Sequence, residues 1–162
     1  MGILNLACAK QSEDERLVDQ IMAQTAGELK KEKKLSCVGT GGRMHDDITL
    51  LRMHFQYFQV VNLEEARKLV VYAVQTLLKN INGNEKVRPY LHNYPFTTKN
   101  IDLGIFIYQP DGAYPSLGNI KFIHVEEGML RYELVRPSKF APMPLLHQET
   151  LEEALKALEA KP

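Results

Sequence analysis

The run Gly39-Thr40-Gly41-Gly42-Arg43-Met44-His45-Asp46-Asp47 brings together a glycine run, a guanidinium, an imidazole and two carboxylates. A glycine-rich loop can lay backbone amides against a phosphate, and Arg43 could assist. The spacing is neither GxxxxGK[ST] nor a GxGxxG that opens a helix. The element after it alternates like a strand, so no helix amino terminus points at the run, and a flexible turn leading into that strand is expected. His45, Asp46 and Asp47 are of the types that hold a divalent metal. Neighbouring residues cannot all face one ion, so an exposed, charged strand entry is expected and no metal site is assigned. The other histidines are His54, His92, His124 and His147, and none forms HxH or HExxH. His54 shares a strand face with Arg52 and Gln56, and His124 falls on the same alternate set as Ile120 and Phe122. No nucleophile elbow of the GxSxG type is present. A hydrolase or metal enzyme built on His45, Asp46, Asp47 and His54 would need at least two of them within hydrogen-bond reach. No catalytic residue and no cofactor is assigned.

The segment Arg88-Pro89-Tyr90-Leu91-His92-Asn93-Tyr94-Pro95-Phe96 interleaves aromatics with basic groups. Aromatic side chains offer large contact area at low entropic cost. Arg88, Tyr90, His92, Tyr94 and Phe96, with Arg43 beside them, are therefore the expected binding residues. In the alternative, Tyr90, Leu91, Tyr94 and Phe96 plug one end of the core while the prolines set the path.

These groups must be carried by a small scaffold. The chain has 162 residues, with 44% hydrophobic and 25% charged side chains, which suits one globular domain. Twenty basic residues balance twenty acidic ones, and that disfavours a nucleic-acid partner, which needs a positive surplus. No apolar run reaches the roughly 18 residues of a membrane span.

Ser12 and Glu15 read as a capping box. Leu17, Val18, Ile21, Met22, Ala26 and Leu29 follow it as one helical stripe that ends among Lys30 to Lys34. Leu35 to Val38 reads as a very short strand or an extended arm. From Asp47 the period becomes two: Leu51, Met53, Phe55 and Tyr57 face one way and Arg52, His54 and Gln56 the other. Asn62 and Glu65 cap the strongest helix, whose wide stripe runs from Leu63 to Ile81, and Asn82-Gly83-Asn84 is expected to stop it through a left-handed residue. Ile101 to Ile107 and Ile120 to Val125 read as strands. The turn Glu126-Glu127-Gly128 joins the latter to a fourth strand through Leu130, Tyr132 and Leu134. Pro137, Pro142 and Pro144 force an extended stretch before a last helix capped by Thr150 and Glu153. The expected fold is α+β in the order α-β-α-β-β-β-α. It has a single, mainly antiparallel sheet of about four strands with helices packed on one face.

The start of the chain adds a different signal. Leu4-Asn5-Leu6-Ala7-Cys8 resembles the lipobox of bacterial lipoproteins, in which a peptidase cuts before a cysteine that then carries acyl chains. Ala7 matches the small residue before the cut, and Lys10, Gln11 and Ser12 match a solvated tether; Asn5 and Leu6 depart from the usual residues. The blocks GTGGRMHDD, LEEARKLVVYAV, RPYLHNYPFT and NIDLGIFIY are similar to uncharacterised bacterial proteins described as lipoproteins or secreted proteins. The resemblance implies lipidation at Cys8 and a place in the bacterial cell envelope, and no activity. The only other cysteine is Cys37; two cysteines are not a disulfide framework, though one bridge between them is open in an oxidising compartment if Cys8 is not acylated. Without a CxxC pair, a zinc site built on cysteine has little support.

The expected organisation is a signal remnant and tether over residues 1–11 and one domain over 12–162. The expected function is non-enzymatic binding of a protein or small ligand by an exported, lipid-anchored domain that meets the membrane surface only through its acyl chains. A cytoplasmic chaperone or adaptor, with sheet and helix forming a homodimer groove, is the second expectation. An enzyme using His45, Asp46, Asp47 and His54 is the third.

Overall fold

Pleated backbone covers the apolar stripe that begins at Leu63. Val70, Ala73, Val74, Leu77 and Ile81 have no exposed surface. They share one core with Leu51, Met53 and Phe55, with Ile101, Leu103, Ile105 and Ile107, and with Leu130 and Tyr132. The computed structural model describes residues 10–160, so Cys8 and the lipobox-like segment lie outside the described residues.

The elements are α1 (Glu13–Lys33), β1 (Ser36–Met44), β2 (Ile48–Tyr57), α2 (Leu63–Asn82), β3 (Ile101–Ile107), β4 (Ile120–Glu126), β5 (Met129–Leu134), β6 (Leu145–Thr150) and α3 (Leu151–Glu159). The fold class is α+β, but the sheet is mixed and six-stranded, ordered β1-β2-β3-β4-β5-β6. Only β2 and β3 pair in parallel, because α2 carries the chain back across the sheet between them.

Both strands beyond the expected four are edge strands. The glycine run expected to be a loop is the middle of β1, where Gly39, Gly41 and Gly42 pair with His54, Arg52 and Leu51. Glycine is a poor strand former, but the ladder offered by β2 overrides that preference. β6 begins directly after Pro144 and pairs with β5. Neither segment shows clean alternation, because an edge strand is covered less completely than a central one.

Local signals hold with two exceptions. The capping boxes Asn62/Glu65 and Thr150/Glu153 form in full. Ser12 is the N-cap of α1 but its side chain makes no cap hydrogen bond. Gly83 after α2 is right-handed at φ −80°, so it is not the expected left-handed stop. The Asn84 side chain accepts from the backbone amides of Lys86 and Val87 and turns the chain there.

A bulge in β4 corrects the expected alternation. Ile120 pairs with Leu134 and Phe122 with Glu133, which leaves Lys121 as the extra residue. Ile120 and Ile123 therefore both enter the core, while Phe122 and His124 occupy the opposite face. Without the bulge, Ile120 would have shared their side.

One charged cluster joins the layers. Arg67 of α2 donates from Nε and Nη2 to the two carboxylate oxygens of Glu149 on β6, at 2.7 and 3.1 Å. The Tyr132 hydroxyl donates to the same carboxylate at 2.8 Å, and His147 Nε2 stands 3.1 Å from it. Burial and the neighbouring Glu149 charge hold the Tyr132 proton far more tightly than an ordinary phenol does. The cluster thus ties α2 to the edge of the sheet.

Candidate functional site

All three helices lie on one face of the sheet, and the opposite face carries two contiguous features. The first is polar. Asp102, the second residue of an otherwise apolar strand, is 8% exposed. It accepts from Arg52 Nε at 2.8 Å and lies 3.1 Å from His124 Nε2. His54 Nε2 stands 3.5 Å from the same Asp102 oxygen as His124, close enough for an ion pair but with no hydrogen bond. Burial works against the Asp102 charge, yet Arg52 and His124 outweigh it and hold the carboxyl below its ordinary range.

The second feature is aromatic. Phe106 and Phe122 stack with centroids 4.6 Å apart, Phe122 stacks on His124 at 5.1 Å, and His54 meets the edge of Phe106 at 5.9 Å. Gly104 makes this row fit. A Cβ there would meet the Phe122 ring at 2.9 Å and His54 at 3.0 Å. The missing side chain lets the two rings cross β3.

Beyond Phe106 and Phe122 the face deepens into a groove of about 590 Å³. The phenylalanines form its floor, Tyr114 stands on one side, and Met143 with Val135 comes from the connector between β5 and β6. Lys121, Arg136 and Lys139 bring positive charge to it. The β4 bulge is what turns Lys121 and Phe122 toward the same groove. Lys121 Nζ donates to the Ile107 carbonyl at 3.1 Å and lies 3.8 Å from the Tyr108 and 4.2 Å from the Tyr114 ring centroids. Burial lowers its pKa below that of an ordinary lysine. A smaller cleft of about 290 Å³, at the start of α2, is lined by both charge signs, with Lys33, Glu65 and Lys68.

The residues expected to bind are placed differently. Phe96 is 2% exposed and belongs to the core, so it is not a surface contact. Arg88 lies over the Tyr94 ring at 4.3 Å and donates to the Asn82 carbonyl. His92 Nδ1 sits 2.6 Å from Asp47 Oδ2, which fixes the loop to the turn between β1 and β2. Tyr90 and Tyr94 keep exposed surface. Arg43 is on the edge strand β1, two strands from the groove floor. Of His45, Asp46, Asp47 and His54, the last turns to Asp102 and Asp47 to His92, and no hydrogen bond or ion pair joins two of the four as an enzyme built on them would need. Among the described residues no cluster of three or more His, Cys, Asp or Glu side chains is arranged to hold a metal ion.

Alternation puts His54 with Arg52 on one face, and Phe122 with His124, but it assigns no role to Asp102, Gly104 or Lys121. A readable signal was present. A carboxylate and a glycine inside an apolar strand point to an unusual neighbour on that face. Comparison with protein-family models, with curated proteins and with solved structures matched none of them.

Proposed function

We propose that this chain is a non-enzymatic binding domain, exported and held at the bacterial cell envelope through an acylated Cys8, that captures a small ligand on the open face of its sheet. The groove carries the reading. Its volume of about 590 Å³ falls in the range of small-molecule sites, and it combines an aromatic floor with a few converging polar groups. The floor is rigid because β3 and β4 pair directly beneath it, Phe106 opposite Phe122. The polar groups of the Arg88–Phe96 loop already engage partners within the chain, so that loop offers less to a ligand. The apolar stripes of the helices pack on their own sheet, and this leaves the chaperone reading without the helix surface that its dimer groove requires.

The test is a fluorescence titration with anilinonaphthalene sulfonate, a flat dye that brightens in apolar sites. Saturable binding by the cooperatively folded protein is expected, with about a tenfold loss of affinity in Phe122→Ala as about 1–2 kcal/mol of aromatic contact disappears. Amide shift mapping on the unmutated protein checks the site independently. Shifts gathered on β3, β4 and residues 135–143 support the reading, and shifts on the helices or no saturable binding overturn it. For the anchor, mass spectrometry of the protein made from its full gene is expected to find a chain that begins at Cys8 and carries acyl groups. A chain that begins at unmodified Met1 would remove the export reading.

A further inference from the structure

We infer that the groove selects an anion: a small amphipathic carboxylate, sulfonate or phosphate whose apolar body lies on Phe106 and Phe122 and whose charge seats between Lys121 and Arg136. The inference rests on the binding reading above and adds the chemical class of the ligand.

The charge balance of the site supports it. Lys121, Arg136 and Lys139 all line the groove, and no acidic residue does. Glu133, opposite Phe122 in the β4–β5 register, is not among the lining residues. Two other cations of the sheet and helix faces are matched by carboxylates, Arg67 by Glu149 and Arg52 by Asp102, whereas half-buried Lys33 and Arg131 are not, among the described residues. Among the described residues no carboxylate pairs with Lys121, Arg136 or Lys139.

Lys121 is the informative member. Removing an ammonium from water is costly unless something replaces the lost solvation. Here the replacement is one backbone carbonyl and the faces of Tyr108 and Tyr114. Aromatic faces attract a cation without neutralising it. The groove therefore keeps a positive potential at its floor. An arriving anion supplies the missing counter-charge and finds a flat apolar floor beside it. A neutral ligand of the same shape gains only the floor.

Anilinonaphthalene sulfonate and phenylnaphthylamine test this directly, because the second is the first without its sulfonate. The sulfonate dye is expected to bind about tenfold more tightly or better, the yield of one charge-assisted hydrogen bond. The variant Lys121→Met with Arg136→Gln keeps the side-chain stems. It is expected to erase most of that preference while it leaves phenylnaphthylamine affinity within about twofold. Raised salt is expected to weaken the sulfonate dye alone. Equal affinity of the two dyes for the unmutated protein, or parallel loss of both in the double variant, overturns the anion inference and leaves the groove as a neutral apolar site. Absence of binding by either dye instead removes the binding reading itself.

Discussion

Glu149→Ala is expected to destabilise the domain by about 3–5 kcal/mol, read as a fall in the urea midpoint of unfolding. Glu149 is 4% exposed and Arg67 is 9% exposed, so neither has water to fall back on. Loss of the carboxylate strips Arg67 of both its charge-assisted hydrogen bonds and leaves the Tyr132 hydroxyl without an acceptor. The cost arises from an uncompensated buried charge and not from the net worth of the pair. The combination Arg67→Met, Tyr132→Phe and Glu149→Leu is therefore expected to be more stable than Glu149→Ala alone. If the triple variant loses the summed cost of its parts, the cluster is not the closed unit that its geometry describes.

The same cluster gives the domain an acid limit. Burial alone would raise the Glu149 pKa, but hydrogen bonds from Arg67, Tyr132 and His147 outweigh it and hold the carboxyl below the usual range. A group with a depressed folded pKa contributes stability that is present above its unfolded value of about 4.3 and lost as pH falls through the folded one. Asp102 acts in the same sense. The stability gap between the unmutated protein and Glu149→Gln is thus expected to narrow between about pH 5 and pH 2. Urea midpoints taken across that range measure it, and a gap that stays constant would count against the charged form as the one that stabilises the fold.

Gly104→Ala is expected to cost about 1–3 kcal/mol and to weaken dye binding in the groove. The new methyl would stand 2.9 Å from the Phe122 ring and 3.0 Å from both His54 and a second Phe122 atom. A lone ring could swing aside cheaply. Phe122 cannot, because it is stacked between Phe106 and His124. Its movement disturbs two ring contacts worth about 0.5–1.5 kcal/mol each and tilts the groove floor. Dye affinity and urea midpoint are expected to fall together in this variant. In Lys121→Met only the affinity for the sulfonate dye should change. A Gly104→Ala protein with unaltered affinity would show that the floor does not depend on the ring row.

Much of this fold was legible in the order of the residues. The stripe from Leu63 to Ile81, the alternation of Leu51, Met53 and Phe55, and the capping boxes at Asn62 and Thr150 are interactions within a few residues. The hairpin at Glu126-Glu127-Gly128 is equally local, with φ of 51° at Glu127 and 84° at Gly128. Such features depend on the covered face and the turn chemistry, and both are written in adjacent positions.

The candidate site is of the other kind. Asp102, Arg52, His54 and His124 come from three strands, and nothing near Asp102 in the chain announces which cations will surround it. The edge strand β1 is a strand only because β2 offers it a ladder, and β6 only because β5 does. The β4 bulge exists only as a mismatch with β5, yet it decides that Lys121 and Phe122 share a groove. Periodicity by itself determined which faces are apolar and hence that helices cover one side of a sheet. Strand order, edge pairing and the bulge, and with them every group on the uncovered face, were decided by the tertiary structure, because long-range hydrogen bonds and side-chain contacts leave no period in the chain.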